Sequence, residues 1–150
     1  MKINLAMTAL AKLASLHLKP ELLTQYETFL AALEEPDGVP DRIVQMCGLR
    51  IAAMRGEVDA WLLGSAGVGL DTTDIESIRR GAYESLTDAE QAALRLADRI
   101  SFQWHDLTDQ EVEAVTAHFG EAGCVGLMTA IAFIDANHRL DSALAPLEES

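Results

Sequence analysis

The chain is short of the residues that staple small proteins together. Only two cysteines, Cys47 and Cys124, occur in 150 residues, far apart and each inside an apolar helical stretch. That excludes a disulfide framework and a zinc site, both of which need more ligands at closer spacing. Both are read as small buried hydrophobes. Basic residues are scarce too. Eleven Lys and Arg against 24 Asp and Glu leave a net charge of −13. A polyanion would be repelled, so neither nucleic acid nor an anionic membrane surface is an expected partner, and solubility is the plain account of the charge. No apolar run reaches the ~18 residues of a membrane span. The opening MKINLAMTALAKLASL superficially resembles a signal peptide, but its apolar residues are spaced helically, Lys12 interrupts them, and no clean cleavage site follows. It reads as the first helix of a cytoplasmic protein. Runs of β-branched residues are few, which argues against a sheet.

What is present is helical periodicity. A chain of this length buries roughly two-thirds of its unfolded surface and folds as one domain without a metal or disulfide. PELLTQYETFLAAL places Leu22, Leu23, Tyr26, Phe29, Leu30 and Leu33 on one stripe, with Pro20 suited to the first turn. EEPDGVP is the clearest loop, and Pro40 opens a helix expected to run to Met54, carrying Ile43, Val44, Cys47, Ile51 and Met54. Gly56 marks a break or tight packing point, and the glycines of GSAGVGL end the next helical stretch. Three Thr-Asp-x-Glu sequences, at Thr73, Thr87 and Thr108, each match a capping box and predict three helix starts. The last helix holds CVGLMTAIAFI, apolar all round, and is expected at the centre of the core or in a subunit contact. The expectation is an all-α fold of about eight helices in a single domain, residues 1–150.

The order of these segments resembles the alkyl hydroperoxidase D-like (AhpD-like), or carboxymuconolactone decarboxylase, family. The likeness rests on LRIAAMRGEVDAWLLGSAGVGL, LTDAEQAALRLADRIS and VEAVTAHFGEAGCVGLMTAIAFIDANHRL, and covers roughly residues 41–144, with residues 1–40 as N-terminal helices and a loop. Leu49-Arg50 matches the pair before the family's active-site turn. Gly56 matches the glycine ahead of its first cysteine. Ile131 to Leu140 resembles its closing segment, with Asp135 and His138 where asparagines are usual. Redox members carry a Glu, then Cys-x-x-Cys, then a His, which together make a thiolate and its proton relay. In this chain those positions hold Gln45, Glu57, Ala60 and Gly64. A second branch reads roughly Tyr-Glu-Trp-x-x-His, and of that pattern only Trp61 is matched. The resemblance therefore implies the family's fold without its dithiol, and no lipoamide- or thioredoxin-linked peroxidase activity. It also implies a homo-oligomer, typically a trimer or hexamer.

Glu57 is the residue singled out. On a helix it would share one face with Ala60, Trp61 and Gly64: a carboxylate, an aromatic wall and two small positions. That face suits a small, partly apolar ligand with a hydrogen-bond donor, and a desolvated carboxylate there would serve as acid or base. The plain alternative is an exposed first-turn glutamate that complements the helix dipole. Arg50 is read as pairing with a carboxylate such as Glu57 or Asp135, or as clamping a ligand anion. Gln45 completes the set of ligand-facing positions. His138 is read either as an acid or base or as making a helix-end hydrogen bond. His105 and His118 look ordinary, and Trp104 is expected to cover the core beside a loop. No metal or other cofactor is expected. Three functions stay open. One is a non-peroxidase binding or scaffold oligomer. Another is a cofactor-independent enzyme, lyase- or hydrolase-like, acting on a small organic acid or lactone through Glu57. The third is residual thiol antioxidant chemistry through Cys47.

Overall fold

A computed structural model describes residues 12–33, 35–57 and 69–148 of the chain. Among them all regular structure is helical and no strand occurs. The elements are α1 (Pro20–Leu33), α2 (Asp41–Met54), α3 (Thr72–Arg80), α4 (Asp88–Phe102), a single 3₁₀ turn (Trp104–Asp106) and α5 (Asp109–Glu148). The all-α class is as expected, but the described residues hold six helices, five α and one 3₁₀, rather than about eight. One reason lies in α5, which runs on through a kink at Gly120 (φ 76°, ψ 172°), a backbone conformation that side-chain-bearing residues rarely adopt.

Helix starts follow local chemistry. Thr87 and Thr108 cap as expected, their hydroxyl oxygens accepting from Glu90 N–H and Glu111 N–H at 3.2 Å each. The glutamates, however, do not close the boxes on themselves. Glu111 takes Arg99 Nε at 3.0 Å, and Glu90 lies 3.5 Å from Arg42, so these carboxylates tie helix starts to neighbouring helices instead. The third start is corrected. Asp71, not Thr73, is the cap of α3, its carboxylate accepting from Asp74 N–H at 2.8 Å. An Asp two residues earlier in an extended conformation already satisfies the orphan donor, so Thr73 lies inside the first turn.

The core forms where α2, α4 and α5 meet, with α3 against α2. The central helix is α2, buried on every side from Ile43 to Leu49 and again at Ile51 and Ala52. Leu94, Leu96 and Ala97 of α4 and Val115, Leu127 and Ile131 of α5 pack against it. Of the two places expected for CVGLMTAIAFI, the centre of the core is not the one found. That segment buries Cys124, Leu127, Ala130, Ile131 and Ile134 but leaves Val125 63% exposed, so it covers the core with one face. By length and composition α5 also meets the requirement for a membrane span, a feature the run-length reading passed over. Core helices of soluble proteins meet the same test, and a third of its most apolar window (33%) is buried in the bundle. The stripe on α1 is covered only in part. Leu30 is buried and Phe29 meets the Phe133 ring edge-on at 4.8 Å, while Leu22 stays exposed.

Candidate functional site

The site is built on the end of α2. There the chain turns through a motif in which Gly56 N–H donates to Ala53 O (3.3 Å) and Glu57 N–H reaches back to Ala52 O (2.8 Å). This pairing closes the last orphan carbonyls of a helix and requires a left-handed residue just past its end. Gly56 supplies it at φ 74°. Among the described residues a Cβ there would meet no atom within 4 Å, and the left-handed φ alone costs a side-chain-bearing residue about 1–2 kcal/mol. The backbone of Glu57 is thus fixed by sequence next to it, and the break expected at Gly56 is this turn.

The turn is then held against α5 by two side chains that flank Gly56. Glu57 Oε2 pairs with Nδ1 of His138. Arg55 points Nε (3.1 Å) and Nη2 at Oδ1 of Asp135. Asp135 and His138 are three residues apart and so lie on one face of α5. The second oxygen of Asp135 accepts from Arg139 Nε at 2.9 Å, and Arg139 Nη2 reaches Ser101 O on α4 at 3.4 Å. The guanidinium of Arg55 also lies over the Phe102 ring, 5.4 Å from its centre. Beside His138, Asn137 accepts from the Tyr26 hydroxyl of α1 at 2.9 Å and anchors its own amide on Phe133 O. Three helices, α1, α2 and α4, therefore converge on this stretch of α5.

The burial of the pair is unequal. The His138 side chain is wholly inaccessible, whereas that of Glu57 is 30% exposed. Glu57 is thus neither a free surface glutamate nor a sealed one. His138 Nδ1 faces the Glu57 carboxylate, so the hydrogen of this pair lies between the ring nitrogen and Oε2. Nε2 is buried and has no hydrogen-bond partner among the described residues. His138 does not cap a helix end; it stands ten residues inside α5 and its partner is a side chain.

The remaining expected residues fall elsewhere. Arg50 pairs with neither Glu57 nor Asp135. Its Nε donates to Asp98 (2.7 Å) and its Nη1 to Ile78 O and Arg79 O, closing the last turn of α3. Gln45 is buried on α2. Trp61 and Gly64 lie outside the described residues, as does the helix expected to carry them. Cys47 is fully buried with its thiol toward Ala93 O, and burial, with the charge of Asp98 adding, pushes its pKa far above the ordinary thiol value. Cys124 is buried as well. Trp104 does not cover the core; it is 65% exposed and stacks on His105. No cluster of three or more His, Cys, Asp and Glu suited to a metal occurs among the described residues.

Sequence reading named Glu57 and His138 separately but missed Arg55 as the partner of Asp135. The available signal was the pair of opposite charges around Gly56 facing the Asp and His of IAFIDANHRL. Ionic groups inside apolar helices must find partners, and these two pairs are complementary. Comparison with known protein families, with curated proteins and with solved structures finds no match to this chain.

Proposed function

We propose that the chain is an AhpD-like helical protein without the redox dithiol, and that it holds a cofactor-independent small-molecule site at Glu57 and His138. The observation that carries this reading is the pairing of a partly exposed carboxylate with a fully buried imidazole, 81 residues apart in sequence. In the family resemblance these are positions where the chain departs from pattern: Glu57 stands at the first cysteine and His138 where an asparagine is usual. In the fold the two departures meet, so one new interaction accounts for both.

Glu57 is the partner that a ligand can reach, and the buried imidazole bonded to its Oε2 holds the carboxylate in one orientation from behind. Glu57 presents the accessible polar edge and His138 holds the exchangeable proton behind it. The ligand class that fits is small and partly apolar, with a hydrogen-bond donor for Glu57. Thiol chemistry is the less supported reading, because the raised pKa of Cys47 keeps its sulfur protonated and its burial keeps reagents away.

The test is a thermal-shift screen of small carboxylic acids, lactones and amines on wild type and Glu57→Gln. A ligand at a hundred times its Kd stabilises the protein by about 2.7 kcal/mol. The expected result is at least one compound that shifts wild type and not the variant. Identical profiles for both proteins would sink the proposal.

Self-association is proposed as well. Val112, Ala117, Cys124, Val125 and Met128, with Glu113, Thr116 and Glu121 among them, line an open, mostly apolar groove of about 660 Å³ on α5, and Leu22 and Phe29 leave more apolar surface on α1. Contiguous apolar surface of this kind is characteristic of subunit contacts. Light scattering at micromolar concentration is expected to give a multiple of 16.3 kDa, and a mass of one chain counts against it.

A further inference from the structure

We infer that Arg55 and Asp135 are positioning residues for the Glu57–His138 pair; the inference rests on the reading of that pair as the working group. The turn after α2 is fixed in its backbone by hydrogen bonds within α2 alone, from Gly56 N–H and Glu57 N–H to Ala53 O and Ala52 O. Those bonds set where the turn leaves its own helix. They say nothing of where it meets α5. A glutamate has several rotatable bonds, and one ion pair to a histidine would leave it free to swing into solvent.

The second attachment removes that freedom. Arg55 and Glu57 stand on either side of Gly56, and their partners Asp135 and His138 stand one turn apart on one face of α5. The polarity alternates, cation to Asp135 and anion to His138, so exchanging the partners would set like charges together. The register of the turn on α5 is therefore specified. Asp135 is itself held, since its other oxygen carries Arg139, which is anchored in turn on Ser101 O of α4. The Arg55 guanidinium is kept in place by the Phe102 ring beneath it. A supporting pair of this kind acts through another residue, fixing the tautomer and aim of the working group without touching the ligand.

The experiment reads the His138 ring directly in the full-length protein. Imidazole nitrogen–proton correlation spectra of uniformly labelled protein, with His138 assigned by loss of its signals in His138→Gln, report which nitrogen holds the proton and how fast that proton exchanges. Wild type is expected to show one tautomer, protonated on Nδ1, with slow exchange. Arg55→Met is the main variant, because Asp135 keeps Arg139 and no carboxylate is left uncompensated. It is expected to give a mixture of tautomers and at least ~10-fold faster exchange while circular dichroism stays helical, and Arg55→Lys is expected to restore part of the protection. Asp135→Asn should behave as Arg55→Met does. If Glu57→Gln changes the His138 signals but Arg55→Met and Asp135→Asn leave them as in wild type, the positioning role is overturned and the pair stands. If Glu57→Gln also leaves them unchanged, the pair itself is not formed and the underlying reading fails.

Discussion

Replacing Arg50 by alanine is expected to lower stability by about 3 kcal/mol, measured by denaturant unfolding at neutral pH. Arg50 is mostly buried and binds three groups at once: Asp98 at 2.7 Å, Ile78 O at 3.0 Å and Arg79 O at 3.1 Å. The two carbonyls belong to the last turn of α3, where a cation also complements the helix dipole. Asp98 is shared with the Tyr83 hydroxyl at 2.8 Å, and Tyr83 lies beneath the guanidinium, 5.7 Å from ring centre to Arg50 Cζ. Alanine would leave Asp98 with Tyr83 alone, remove the Arg50 bond to Arg79 O, and leave Ile78 O with only the Gly81 N–H at 3.3 Å. A protein of this size loses roughly 2–4 °C of Tm per kcal/mol, so the fall should be about 6–12 °C. Arg50→Lys keeps the charge but not the planar fork, and is expected to recover about half of the loss. A change below ~1 kcal/mol for Arg50→Ala would mean the cluster behaves as an ordinary surface ion pair.

Alkali should destabilise the protein steeply, beginning near pH 8.5. Burial pushes the Cys47 thiol far up, with the Asp98 charge adding. The Tyr83 hydroxyl is pushed up by burial first, then by the charge and hydrogen bond of Asp98, against the opposing charge of Arg50. In the unfolded chain these groups ionise near their ordinary values, about 8.5 for Cys and 10 for Tyr. Above those values the unfolded state has released protons that the folded state still holds, so stability falls as pH rises. The slope is about 1.4 kcal/mol per pH unit for each group. By pH 11 the loss is about 3 kcal/mol for Cys47 and about 1 kcal/mol more for Tyr83. Cys47→Ala removes the thiol and should flatten the curve between pH 8.5 and 10. A wild-type curve as flat as that of the variant would show that Cys47 ionises in the fold as easily as outside it.

Much of the helical framework was legible because it is decided within a few residues. The helix expected from Pro40 to Met54 is found as Asp41–Met54, and the break at Gly56 is a left-handed turn. Thr87 and Thr108 cap helices because a hydroxyl and a backbone N–H three residues on are neighbours in any extended-to-helical junction. The same local reasoning misplaced the α3 cap, since Asp71 and Thr73 compete for one start and both are competent caps. It also missed which helix is central. The segment from Cys124 to Ile134 is the more apolar, yet α2 is the one enclosed on all sides, because enclosure depends on the number of neighbours and not on hydropathy.

The sequence by itself determined the all-α class, the end of α2, and the presence of a carboxylate just beyond it, because capping, periodicity and the demand for a left-handed residue act over one turn of chain. It also left Cys47 without a second thiol nearby, which only residue identity decides. Tertiary structure alone decided that Arg50 belongs to Asp98, that Arg55 belongs to Asp135, and that Glu57 meets His138. Each of those choices joins residues 48 to 81 positions apart, among several acids of equal charge. Charge says that a partner is needed; only the packing of α2 against α4 and α5 brings one particular partner within hydrogen-bond reach.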